Sequence, residues 1–163
     1  MKLVPITEEH FSAIAEIYQQ GIDTGFATFE TSVPSWEIWN ESKLPHSRFL
    51  AMENNVTLGW IALSKISSRC VYEGVAELSV YVSANHRKKG VGKFLLENLI
   101  KDSENHGIWT LQSGMFTENE ATIALHQSLG FRIIGYREKI GKLNGVWKDN
   151  LIMERRSKIV GID

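Results

Sequence analysis

A mixed α/β fold, a central sheet flanked by helices, is what the sequence predicts, and three observations predict it. Short β-rich runs alternate with segments of helical period through the first two thirds of the chain. The run Val75 to Val82 passes through a basic, glycine-containing turn straight into an amphipathic segment. Asn144-Gly145, a strong two-residue hairpin signal, joins two further β-rich runs near the C-terminus.

Element by element, Lys2 to Ile6 reads as an opening strand. Thr7 then caps a helix whose apolar positions Phe11, Ile14, Ala15 and Tyr18 recur at helical spacing and which Gly21 is expected to end. Ile22 to Pro34 is irregular and aromatic, and Ser35 caps a short helix carrying Trp36 and Trp39. Arg48 to Glu53 and Val56 to Ser64 form a hairpin about Asn54-Asn55, because Asn tolerates the positive φ of tight turns. Val75 to Val82 is the next strand, followed by a helix with Val91, Phe94, Leu95 and Leu99 on one face, closed by Asn105 to Gly107. Ile108 to Gly114 reads as a strand. Thr117 and Glu120 have capping-box spacing ahead of a helix that stops at Gly130. Phe131 to Lys142 and Trp147 to Arg155 are the closing strands.

Composition narrows the function classes. At 163 residues, 43% hydrophobic and 23% charged, the chain fits one globular domain, here 1–156 with a tail at 157–163. Folding at this length buries roughly 70% of the unfolded surface, so the core needs no disulfide or metal staple. The single Cys70 cannot form an internal bridge and no thiol–His cluster is present, so a zinc site is not expected and a reducing cytoplasm is. A net charge of −1 argues against coating nucleic acid. No run approaches the ~18 apolar residues of a membrane span, and MKLVPITEEHF lacks the pattern of a signal peptide, so a soluble protein is expected.

The chemistry concentrates after the strand at 75–82. Basic Arg87, Lys88 and Lys89 precede Gly90-Val91-Gly92 and a helix start, where successive backbone N–H groups converge on an anion. A P-loop is excluded because no Gly-Lys-Ser/Thr follows, and a dinucleotide fingerprint because the third glycine is missing. By itself the hexapeptide fits a solvated basic turn as well as a diphosphate cradle.

Its context resembles one family. Arg87-Lys88-Lys89-Gly90-Val91-Gly92 matches the Arg/Gln-x-x-Gly-x-Gly/Ala motif of the GNAT superfamily of acyl-CoA-dependent N-acetyltransferases, in its place between a long strand and a helix. Asn119 and Ala121, followed by Leu125-His126-x-x-x-Gly130-Phe131, resemble that superfamily's second cofactor segment. Several further segments resemble its phosphinothricin and methionine sulfoximine acetyltransferase branch: Ala27 to Thr31, Val33 to Trp36, Arg69-x-x-Tyr72, Glu77, Ser79 to Val82, and Gly145-x-Trp147-x-Asp149.

The resemblance implies acetyl-CoA as cosubstrate, no metal, a small amine as acceptor and commonly a homodimer. It places the backbone of Val80, Tyr81 and Val82 along the pantetheine arm and residues 87–92 around the diphosphate. Asn119 and Ser128 match further CoA positions, although both also read as ordinary helix residues. Glu77, a carboxylate inside an apolar strand, matches the general base; strand alternation alone equally allows it to face solvent. An oxyanion donor is expected at a strand N–H near Val80. His126 stands where many members carry a proton-donating tyrosine, and a packed helical histidine explains it as well. Phe29 and Arg69, Cys70, Val71 and Tyr72 align with the acceptor site, with Arg69 suited to a bidentate grip on an anionic group. A covalent route through Cys70 has no partner histidine assigned by sequence. A protein N-terminus or polyamine as acceptor, and a non-catalytic acyl-CoA-binding regulatory domain, are the rival readings.

Overall fold

Hydrophobic alternation and helical periodicity translate into seven strands and four α-helices in a computed structural model that describes residues 1–163. In chain order these are β1 (Lys2–Pro5), α1 (Phe11–Asp23), α2 (Trp36–Ser42), β2 (Arg48–Glu53), β3 (Val56–Lys65), β4 (Val75–Val82), α3 (Val91–Asn105), β5 (Thr110–Phe116), α4 (Glu120–Ser128), β6 (Arg132–Leu143) and β7 (Val146–Arg156). All strands join one sheet of order β1-β2-β3-β4-β5-β7-β6, in which only β4 and β5 run parallel. No helix is long and apolar enough to cross a membrane.

The two faces of the sheet carry separate cores. On one, Leu95, Leu96 and Leu99 of α3 pack onto Ile61, Leu63, Ala76, Leu78, Leu111 and Met153. Each fully buried leucine there contributes about 1.5–3 kcal/mol through removal from water. On the other, Ile14 and Ile17 of α1 and Trp39 of α2 cover Leu50, Trp60 and Ala62. Trp60 is held edge-on by Trp39 at 5.6 Å and stacked by Tyr81 at 4.9 Å. Because Ala76 and Leu78 face α3, alternation turns Glu77, Ser79 and Tyr81 to the α1 and α2 side.

The hairpin turns form as expected, with positive φ at Asn54, Asn55, Asn144 and Gly145. Several boundaries differ: Thr7 caps a short 3₁₀ turn over Glu8–His10 and α1 itself starts at Phe11, and three others have a cause in neighbouring contacts. Helix α1 continues past Gly21 to Asp23, because Gly21 is there for packing and not for a stop: a Cβ on it would lie 2.7 Å from ring carbons of Tyr81. Asn119, not Thr117, caps α4, its side-chain oxygen accepting from Thr122 N at 3.4 Å, while the carbonyl of Phe116 holds Asn119 N in the preceding turn. Strand β5 starts at Thr110 and not Ile108, because Ile108 N is used by Ser103 O at the end of α3 and Trp109 N by Gly74 O. Past β7, Ser157 N donates to Trp109 O at 2.8 Å, and the Arg156 guanidinium donates to the carbonyls of Ser157, Val160 and Gly161.

Candidate active site

The parallel pairing of β4 with β5 lasts only three rungs, Val75 with Thr110, Ala76 with Leu111 and Glu77 with Gln112. Beyond them β4 stays with β3 and β5 stays with β7, so the two strands diverge and a wedge opens between them. Residues 78–82 and 113–116 line its sides, and the whole opens into a cavity of about 1080 Å³. Ser83 N donates to Leu58 O at 2.8 Å, toward β3. By alternation Tyr81 and Ser79 also turn toward β3; Leu78 N–H is spent on Gln112 in the last parallel rung, which leaves the C=O of Leu78 and the N–H and C=O groups of Val80 and Val82 directed into the wedge.

Glu77 stands at the apex. Its Oε2 accepts from Gln112 Nε2 at 3.2 Å across the last parallel rung, and the carboxylate lines the cavity.

After β4 the chain makes the predicted basic turn. Lys88 (φ +60°) and Gly90 (φ +79°) both adopt left-handed backbone, and Gly90 caps α3. Alternating handedness of this kind aims successive N–H groups into one concavity, and the first turn of α3 adds its unpaired N–H groups. A Cβ on Gly90 would meet no heavy atom within 4 Å, so the glycine faces open space. Gly92 instead meets α4, where a Cβ would lie 3.0 Å from Leu125 Cδ2. Arg87, Lys88, Gly90, Val91 and Gly92 line the cavity; Lys89 turns back, its Nζ donating to Asn85 O at 2.9 Å.

Asn119, the N-cap of α4, and His126 within the helix join the lining. His126 is 1% exposed, edge-on to Phe131 at 5.0 Å, with Nδ1 2.7 Å from Thr122 O. A carbonyl only accepts, so Nδ1 carries the proton and the neutral ring keeps a lone pair on Nε2, which has no protein partner. Burial pushes the His126 pKa down. A histidine whose folded pKa lies below its unfolded value of about 6.5 binds its proton first in the unfolded chain, so stability is unaffected above that pH and falls below it. His46, lowered by burial and by its neighbour His106, adds the same sign. Melting between pH 7.5 and 5.5 is expected to show a drop of up to about 1.4 kcal/mol per pH unit from His126 alone. His126→Gln removes that share and flattens the curve; parallel curves for the two proteins would show that His126 titrates alike in both states.

The cavity wall is aromatic and charged. Phe29 meets Phe116 edge-on at 4.6 Å and sits against Gly141, and Tyr18 packs on Tyr81 at 4.8 Å. Glu30, Lys43 and Arg137 also line this part of the molecule. Burial raises the pKa of both Tyr18 and Tyr81, so neither ionises near neutrality.

The structure thus gathers Phe29, Glu77, Val80, Tyr81, Val82, Arg87, Lys88, Gly90, Val91, Gly92, Asn119 and His126 around one cavity. It leaves other expected site residues outside that lining. Arg69, Cys70, Val71 and Tyr72 lie in an exposed 3₁₀ turn between β3 and β4, where the Arg69 guanidinium sits over the Tyr72 ring at 5.5 Å. The chain must cross there from one strand end to the next, and nothing within a single chain folds that turn inward. Ser128 faces solvent and spends its hydroxyl on Leu125 O at 2.7 Å. Sequence reasoning did not single out Tyr18, Gln112 or Lys43, isolated residues in no motif. Glu30 lay within a segment that carried the resemblance, but nothing marked it as a site residue.

The model of the acetyltransferase (GNAT) family matches residues 11–131. An L-methionine sulfoximine/L-methionine sulfone acetyltransferase of Salmonella typhimurium is 29% identical over 88% of this chain and 86% of its own. Among solved structures, a GNAT superfamily phosphinothricin acetyltransferase from Sinorhizobium meliloti in complex with AcCoA superposes with a TM-score of 0.90 at 26% identity, over 99% of this chain and 91% of its own. A ribosomal-protein-alanine N-acetyltransferase from Brucella melitensis superposes with a TM-score of 0.89 at 26% identity, over 96% and 100%.

Proposed function

Since the chain belongs to the acetyltransferase (GNAT) family, we propose that it transfers acetyl from acetyl-CoA directly to the amine of a small amino-acid-like acceptor of the methionine sulfoximine or phosphinothricin type. The observation that carries this reading is the wedge: one cavity combines a carboxylate at its apex, an anion cradle and an aromatic, charge-lined wall.

The residues present suit the cosubstrate. The left-handed Lys88 and Gly90, the open space before Gly90, and the unpaired strand edge of β4 are what a diphosphate and an amide-bearing arm require. Acetyl-CoA supplies an acetyl group already activated as a thioester. The backbone of Val80 and Val82, past the last rung with β5, binds amides as it would an added strand. N–H groups at the start of α3, with Arg87 and Lys88, hold negative charge. Val80 N–H, fixed in the sheet, is the donor for the acyl oxygen and needs no reorganisation. Glu77 accepts the proton of the acceptor amine, directly or through one water, while Gln112 steadies one of its oxygens. His126, neutral and proton-bearing on Nδ1, serves as a hydrogen-bond acceptor through Nε2 and not as a proton donor.

The similarity to the Brucella protein keeps one rival acceptor, a protein N-terminus. Thiol release measured across amino-acid analogues, polyamines and peptide N-termini separates them. Methionine sulfoximine or phosphinothricin is expected to give the highest kcat/KM, because a wall carrying both signs of charge orients a compact zwitterion at both ends. Peptides or polyamines as best acceptors would overturn the acceptor class and leave the fold and family standing.

A further inference from the structure

We infer that Lys43 is the residue that recognises the acceptor's α-carboxylate, and so selects amino acids over simple amines. This rests on the acceptor reading above.

Lys43 follows α2 and reaches the sheet beside Ser64 of β3, to whose Oγ its Nζ donates at 3.2 Å. Ser64 is the cross-strand partner of Glu77, and directly opposed residues present their side chains on the same face. The ammonium therefore stands next to the carboxylate that takes the amine proton. In an α-amino acid only two bonds separate the amine nitrogen from the carboxylate carbon. A group that reads the carboxylate while Glu77 engages the amine must sit about where Lys43 does.

The environment of Lys43 points the same way. Its ammonium lies over Trp39, with Nζ 5.9 Å from the ring centroid, so the face of a buried ring helps to hold the head in place. An ammonium has three donors and Ser64 occupies one, which leaves two for a ligand in the cavity that Lys43 lines. Burial lowers its pKa, against the opposing pull of Glu77 and Glu30. A desolvated cation facing two carboxylates across a cavity is an arrangement that an ammonium–carboxylate pair completes: acceptor ammonium toward Glu77 and Glu30, acceptor carboxylate toward Lys43. A polyamine would meet Lys43 with like charge. The second cation on this wall, Arg137, is exposed on β6, opposite Asn150 of β7, which in turn pairs with Phe116 at the far end of β5. It is too far along the wedge from Glu77 to take a group two bonds from the amine.

The test uses a matched pair of acceptors, methionine sulfone and the amine left when its carboxylate is removed, with wild type, Lys43→Met, Lys43→Arg and Arg137→Met. Lys43→Met keeps an unbranched apolar side chain without the charge, and melting temperature with its rise on adding acetyl-CoA checks that the fold and cofactor site are intact. KM for the sulfone is expected to rise by about 10- to 100-fold in Lys43→Met, the loss of one charge-assisted hydrogen bond in a desolvated site. The decarboxylated amine should be used as before or better, and Lys43→Arg should retain most of the preference. Equal losses on both acceptors would overturn the inference, placing Lys43 in service of Glu77 or of the fold. So would an unchanged preference in Lys43→Met, or its loss in Arg137→Met alone. A wild type with no preference for the sulfone would instead overturn the acceptor reading beneath it.

Discussion

Glu77→Gln is expected to lower turnover by about 10²–10⁴-fold near neutral pH while leaving acetyl-CoA binding almost unchanged. The substitution keeps the size of the side chain and an oxygen able to accept from Gln112 Nε2, so the apex of the wedge retains its shape. It removes the only property under test, the capacity to take a proton. An amine acceptor is mostly protonated at pH 7, and without a base the reaction draws on the small free-amine fraction in solution. Raising the pH therefore recovers part of the loss in the variant. Single-turnover rates isolate chemistry from product release, and the thermal shift with acetyl-CoA reports the cofactor site separately. A single-turnover rate equal to that of wild type would remove Glu77 from the proton path.

Gly90→Val is expected to erase most of the stabilisation that acetyl-CoA confers. Valine at φ +79° carries a left-handed penalty of about 1–2 kcal/mol, and its branched side chain would fill the open space that the loop keeps before the start of α3. The fold should survive, since α3 is anchored by Leu95, Leu96 and Leu99, which are fully buried. At a ligand concentration 100 times Kd, binding stabilises the native state by about 2.7 kcal/mol; a 100-fold weaker complex at the same concentration retains about 0.4 kcal/mol. Gly90→Ala, which bears the backbone strain with little bulk, should fall between. Equal thermal shifts for wild type and a folded Gly90→Val would move the diphosphate away from residues 87–92.

Local physics explains why so much of this was legible. The glycine pattern at 90 and 92 and the asparagine turns at 54–55 and 144–145 are backbone requirements, and backbone requirements restrict residue type at the position itself. Strand β4 fell between the limits read from the sequence because Val75 to Val82 is an uninterrupted β-rich run. Where reading by position went astray, tertiary packing or a competing local cap had decided the matter. Gly21 looked like a helix stop and is instead the flat place that Tyr81 packs against. Thr117 had capping-box spacing, yet the side chain of Asn119 reached Thr122 N.

From its sequence alone this protein was determined to be a mixed α/β chain resembling the GNAT acetyltransferases, with a basic glycine turn at 87–92 and a carboxylate in the preceding strand, because motif, strand and helix are set by residues close together in the chain. Only the tertiary structure decided where β4 and β5 part, which side chains share the cavity with Glu77, and that His126 is neutral with its lone pair inward. Lys43 is the clearest case: 34 positions before Glu77 and in no motif, it acquires a role only when β3 pairs with β4 and sets Ser64 opposite Glu77. Charge, desolvation and reach are properties of the space between segments, and that space does not exist until the sheet has formed.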